Sequence, residues 1–276
     1  MPGGGWKLHQ HNYIDDLIKL YGLNNEKPVD LPILPNHKLT IDLADEQEAL
    51  RVPIDDTKYR QAIGKLMYLM VCTRPDISYA VSALSRFMSE PKEKHWRCVK
   101  QLLKYIKSTR DYALIYPKLN STVVTGYSDS DHAGDLGDRK STSGFVFILG
   151  GCTICWKSTK QKTVAISSTE AEYIGLSQAT QEAIWLKELM KELGVAQEQI
   201  VMCGDNLSSM QIVKNSQCHN RSKHIDVRYH YIKDHYQKGN ISLQYIESNS
   251  LCADFLTKGV CKVMHYKCMK LINLVN

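Results

Sequence analysis

The spacing of apolar positions changes part-way along the chain. Trp6 to Leu20, and then Ile63, Met67, Leu69 and Met70, fall closer to helical than to strand intervals, the second run ending before Arg74-Pro75. Ile77, Ala80, Val81, Leu84, Phe87 and Met88 continue at i, i+3, i+4, and Val99, Leu102, Leu103 and Ile106 form a further stripe. Glu26 to Pro53 interrupts this pattern with Pro28, Pro32, Pro35 and Pro53, and is expected to run extended over a surface. The first part of the chain therefore reads as a mainly helical layer.

After Ala113 to Pro117 the pattern turns to alternation and short continuous apolar runs. Thr122 to Asp129, Thr142 to Leu149, and Cys152 to Lys157 running on to Thr163 to Ile166 predict three successive antiparallel strands. Thr169 to Leu193 predicts a long helix, Gln199 to Cys203 a strand, and the stretch after Asn206 a short helix. Arg221 to Gln237 reads as a helix, Ile241 to Ile246 as a strand, and Leu251 onward as a last helix. The order β-β-β-α-β-α-α-β-α predicts a mixed sheet flanked by helices. The expected division is 1–118 for the helical part, 119–262 for the sheet-bearing domain and 263–276 for a tail.

Composition narrows the class. The 276 residues are 43% hydrophobic and 23% charged with net charge +6, which excludes a disordered or collagen-like chain. No run reaches the ~18 apolar residues of a membrane span, and the start lacks the basic and apolar blocks of a signal peptide. A cytoplasmic or nuclear chain without a membrane partner is expected. Nine cysteines are odd in number and sparse, which reads as reduced thiols rather than a disulfide scaffold. Between Leu207 and Lys238, Lys214, Arg221, Lys223, Arg228, Lys233, Lys238 and four histidines face only Asp226 and Asp234. Such a stretch suits a polyanion and equally a solvated helix face.

The acids fall at the ends of predicted elements. Asp129 closes the first strand in GYSDSDHAGD, Asp205 follows a strand in VMCGDN, Asp254 opens a helix in LCADFLTK, and Glu172 sits near the start of the long helix. Acids delivered from separate elements to one sheet edge repel each other unless they hold hard divalent cations. Two such ions ~3.5 to 4 Å apart activate a water and stabilise a leaving oxygen in phosphodiester cleavage. Each acid also has a plain structural reading: Asp205 as a helix N-cap, Asp254 as a first-turn acid. Glu172 heads the apolar stripe Leu176, Ala179, Ala183, Leu186, where a charge wants a partner, whereas Glu170 fits a capping pattern with Ser167. Asp129 and Asp131 share a strand face, and spacing leaves the choice between them open.

Other motifs carry less. Tyr13-Ile14-Asp15-Asp16 spells a polymerase YxDD signature, but Tyr13, Leu17, Leu20 and Tyr21 make a helical stripe where that motif needs a hairpin. Cys152 and Cys155 have zinc-knuckle spacing without a second pair. His224, His230 and His235 lack HExxH spacing.

YRQAIGKLMYL, TRPDISYAVSALSRFM, HWRCVKQLLKYIKST, GYSDSDHAGD, RKSTSGFVF, SSTEAEYIGLS, GDNLSSMQI, KHIDVRYHYIKD and ADFLTK occur in order between Leu8 and Gly259. Together they resemble the copia-type (Pseudoviridae) retrotransposon Pol polyprotein, in its carboxy-terminal reverse transcriptase and ribonuclease H portion. The resemblance implies a ribonuclease H-like α/β fold, a mixed five-stranded sheet with flanking helices, preceded by a mainly helical remnant of the reverse transcriptase thumb and connection. It implies cleavage of the RNA strand of RNA/DNA hybrids, with Asp129 bridging two Mg²⁺ ions, Mn²⁺ able to substitute, and Glu172, Asp205 and Asp254 completing the coordination. It thereby selects Asp129 over Asp131. Lys157, Lys160 and Lys162, with Arg221, Lys223, His224 and Arg228, are expected to hold the hybrid backbone through phosphates. The polymerase part of the parent element is an expected partner.

Departures accompany the match. His132 stands where relatives usually have Trp, and the loop Ser248 to Leu251 is short and lacks the histidine that cellular ribonucleases H carry there, which implies slow turnover. No fingers, palm, protease or integrase motif precedes Trp6, so the chain reads as a fragment without polymerase activity. The alternative to an active nuclease is a transposon relic that folds or binds nucleic acid without catalysis.

Overall fold

The structure, a computed structural model, describes residues 4–35, 55–118, 121–214 and 226–276; the side chains of 226–229 lie outside that description. The chain divides into two compact units, Met1–Tyr116 with Lys258–Asn276, and Pro117–Thr257. Among the described residues no helix is long and apolar enough to cross a membrane.

The first unit starts with β1 (Gly5–Leu8) and α1 (His11–Leu20), followed by α2 (Asp56–Cys72), a 3-10 turn (Pro75–Ile77), α3 (Ser78–Ser85), α4 (Glu93–Ser108) and β2 (Ala113–Pro117). Tyr13 to Asp16 lie within α1, and Asp15 holds Arg110 through Nε at 2.6 Å and Nη2 at 2.7 Å. Asp55 caps α2 by accepting from the backbone N–H groups of Thr57 and Lys58, and the chain leaves the helix two residues ahead of Pro75. Leu17, Ile63, Leu69, Leu84, Leu103 and Ile106, all from the helical stripes, are buried in one cluster, whereas Met67 of the same run is exposed.

The second unit contains β3 (Val124–Ser130), β4 (Thr142–Leu149), β5 (Cys152–Lys160), α5 (Ser168–Glu192), β6 (Ile200–Gly204), α6 (Leu207–Lys214), α7 (Asp226–Gln237) and β7 (Ile241–Tyr245). Its sheet runs β5-β4-β3-β6-β7, with β3, β4 and β5 antiparallel and β3, β6 and β7 parallel. Gly150 and Gly151, at φ 55° and 86°, close the β4–β5 hairpin, a left-handed pair that suits the twist of its strands. β5 stops at Lys160 rather than running on to Ile166, because the chain turns there toward the start of α5. The expected helix at Leu251 is replaced by two 3-10 turns, Ser248–Ser250 and Asp254–Leu256.

Residues 263–276 do not form a separate tail. They belong to α8 (Lys262–Leu271) and β8 (Leu274–Val275), and β8 pairs antiparallel with β2, Ala113 opposite Val275 and Leu114 opposite Leu274. A strand of two residues has no readable alternation, so only its distant partner defines it.

α8 also enters a buried polar network of the first unit. Arg74, 1% exposed, binds Asp76 through Nε at 2.9 Å and Nη2 at 2.7 Å. Asp76 accepts from the Tyr105 hydroxyl at 2.6 Å, and that oxygen lies 2.8 Å from His265 Nε2. The Tyr105 proton goes to the carboxylate, which assigns the proton of neutral His265 to Nε2. Burial pulls the His265 imidazole down from its ordinary 6.5 to about 4, against the attraction of Asp76. Between those values only the unfolded chain takes up the proton, so this contribution is complete above pH 6.5 and is lost as pH falls toward 4. At about 1.4 kcal/mol for each pH unit the loss reaches about 3 kcal/mol. Thermal melts of wild type and His265→Gln across that range check this, the variant being expected to show the smaller acid slope.

Candidate metal centre

The ends of three elements bring acids together. Asp129 is next to last in β3, the central strand, and Asp205 directly follows β6, which runs parallel to β3 and so delivers its end to the same sheet edge. Glu172 comes from the second turn of α5. A Cβ on Gly175 would stand 2.2 Å from Ser130 Oγ, so glycine permits the close crossing of α5 over β3 that places Glu172 beside Asp129. Asp129, Glu172 and Asp205 each offer a carboxylate oxygen within 4.8 Å of the others; Asp129 is buried and the other two are half-buried.

Like charges ~4 Å apart repel by about 4 kcal/mol at an effective dielectric of 20. A divalent cation removes that repulsion, and an all-oxygen donor set suits a hard ion. Burial pushes the Cys203 thiol, two residues before Asp205, up to about 11.

Asp254 is not a member of that group of three. It heads the turn Asp254–Leu256, is 8% exposed, and lies on a segment packed against β3 and β4. Asp131, which spacing left level with Asp129, accepts from the Thr142 backbone N–H instead, and a Cβ on Gly134 would stand 1.8 Å from its Oδ2. Its carboxylate thus helps to close the loop between β3 and β4.

Glu170 accepts from the Ile166 N–H at 2.9 Å, and its own N–H donates to Ser167 Oγ at 3.1 Å. Capping folds the side chain back over the helix start, which leaves Glu170 buried and Glu172 half-buried, the reverse of the stripe expectation. Ser167→Ala is expected to cost about 1 kcal/mol in denaturant titration. Glu170→Gln is expected to change neither that titration nor any activity appreciably, since the amide oxygen still accepts from Ile166.

Of the expected nucleic-acid contacts, Lys157 and Lys162 are exposed. Lys160 is engaged by Asp135 at 2.6 Å and Asp138 at 2.8 Å, an arrangement the charge pattern did not reveal. Arg221, Lys223 and His224 lie outside the described residues, as does the side chain of Arg228. Cys155 Sγ meets Glu182 Oε1 at 3.2 Å within the sheet unit. Two hydroxyls went unread in the sequence: Ser248 Oγ donates to Asp205 Oδ2 at 2.6 Å, and Thr257 Oγ1 donates to Asp129 Oδ2. Their signal is faint, a hydroxyl residue in a turn close to an acid.

A mixed sheet in the order β5-β4-β3-β6-β7, with acids at the ends of β3 and β6, defines the second unit as a ribonuclease H-like domain. A solved foamy viral protease-reverse transcriptase in complex with dsDNA shares the fold, with TM-score 0.50 and 11% identity over 76% of this chain and 42% of that one. No family profile matches the chain. The retrovirus-related Pol polyprotein from transposon TNT 1-94 of Nicotiana tabacum is 38% identical over 267 residues, 97% of this chain and 20% of that protein. The corresponding polyprotein from transposon RE2 of Arabidopsis thaliana is 37% identical over 261 residues, 94% of this chain and 17% of that protein. The chain belongs to this family, the copia-type retrotransposon Pol polyproteins, and spans about a fifth of the length of these curated relatives.

Proposed function

We propose that the second unit is a metal-dependent endoribonuclease that cuts the RNA strand of RNA/DNA hybrids. The observation that carries this reading is the convergence of the Asp129, Glu172 and Asp205 carboxylates at one end of a ribonuclease H-like sheet. Asp129, on the central strand of the sheet, would hold divalent metal through its carboxylate. Glu172 and Asp205 would hold it together with Asp129, and Asp254, on its neighbouring turn, is proposed to join them. When bound, Mg²⁺, or Mn²⁺ in its place, supplies water activation and stabilises the leaving oxygen.

The chain's own groups then set substrate and strand position. Lys157, exposed within β5, and Lys162, exposed just after it, are proposed to contact backbone phosphates without reading sequence. Arg221, Lys223, His224 and Arg228 are proposed to extend that contact on the strength of the sequence alone. The first unit, as a remnant of thumb and connection, is proposed to guide the hybrid.

Incubation of the purified chain with labelled hybrid and Mg²⁺ or Mn²⁺ tests the reading. Internal cuts in the RNA strand with 3′-hydroxyl and 5′-phosphate ends, and an intact DNA strand, are expected. Hybrid that is bound but uncut at every metal concentration overturns it in favour of a non-catalytic relic.

A further inference from the structure

We propose that Thr257 is a positioning residue for the carboxylate cluster, its hydroxyl holding Asp129 in the orientation that receives the cation. This rests on the metal reading above. Asp129 and Gly144 are directly paired across β3 and β4, so they share one face of the sheet. A Cβ on Gly144 would stand 2.6 Å from Leu256 Cβ and 2.9 Å from Thr257 Cγ2. The missing side chain is the slot into which the turn Asp254–Leu256 settles.

Settled there, Thr257 is fully buried, and Oγ1 donates to Asp129 Oδ2 while lying 2.9 Å from the Asp254 carbonyl oxygen. One hydroxyl proton faces two oxygens, and the carboxylate is the stronger acceptor. The hydroxyl thus ties Asp129 to the turn that bears Asp254, two groups 125 positions apart that no local pattern connects. A neutral donor restricts rotation of the carboxylate without cancelling its charge, so the oxygens stay anionic and aimed. Partners of this kind around a ligating group contribute about 10- to 100-fold to metal affinity. The competing role is packing alone, with the methyl group filling the slot above Gly144.

Hydroxyl and methyl are separate atoms, which makes the two roles separable. Mn²⁺ titration of the full chain, followed by the electron paramagnetic resonance signal of free Mn²⁺, reads affinity without reference to cleavage. Thr257→Val keeps the branched shape and is expected to weaken Mn²⁺ binding about 10-fold or more, whereas Thr257→Ser keeps the donor and is expected to retain most of the affinity. Gly144→Ala leaves the hydroxyl in the chain but forces the turn outward, and is expected to weaken binding as well. Equal affinity in wild type and a folded Thr257→Val overturns the proposal and leaves the metal reading standing. A loss in Thr257→Ser as large as in Thr257→Val assigns the effect to packing and also overturns it. If Thr257→Val does not fold, Gly144→Ala decides, wild-type affinity there counting against the proposal. No saturable Mn²⁺ binding by the wild-type chain overturns the metal reading and this inference together.

Discussion

Asp129→Asn is expected to reduce RNA-strand cleavage by at least about 100-fold, the order of loss seen when one preorganised electrostatic group is removed from a reacting centre. The substitution keeps the shape of the side chain, and its amide oxygen can still accept from Thr257, so the fold of the sheet unit should be unchanged. What it removes is one of three anionic groups whose oxygens lie within 4.8 Å of one another. Hybrid affinity should hold or rise slightly, because binding depends on cations meeting phosphates and the variant has one fewer negative charge near them. Cleavage rate and hybrid affinity measured side by side check this. An Asp129→Asn chain that cuts at the wild-type rate would place the chemistry elsewhere.

Arg74→Met is expected to destabilise the first unit by about 3–5 kcal/mol, the cost of leaving a buried charge without its partner. Arg74 is 1% and Asp76 2% exposed, and the guanidinium also reaches the Thr109 carbonyl at 3.1 Å, capping the end of α4. Without it Asp76 keeps the Tyr105 hydroxyl but loses its counter-charge in a site without water access. Replacing both partners, Arg74→Met with Asp76→Leu, should recover much of the loss, since an apolar pair carries no stranded charge. Denaturant titrations of the single and double variants measure this. A single variant as stable as wild type would show that the pair adds little beyond its volume.

Most elements of the second unit were legible because their signals are local. The strand Thr142–Leu149 matches its apolar run end to end, and the long helix expected over Thr169 to Leu193 spans Ser168–Glu192. Ser167 marks the start of that helix in sequence and caps it in space. In the first unit, three helical stripes became α2, α3 and α4 for the same reason: period 3.6 is written into consecutive residues. β2 and β8 were not legible, since β2 lies mid-chain between β1 and the sequence-distant β8, and strands this short are defined only by their pairing.

The site divides along the same line. Residue types and their places at element ends showed that acids cluster near one edge, and the family motifs singled out Asp129, Glu172, Asp205 and Asp254. Only the tertiary structure separated Asp129 from Asp131 by contact, since one joins the cluster while the other closes a loop. Only it showed Lys160 held by Asp135 and Asp138, and Thr257 reaching Asp129. Periodicity and capping act over a few residues and are therefore carried by the sequence itself. Which side chains meet at a sheet edge depends on strand order and on the glycines that let elements approach, and those are properties of the folded chain alone.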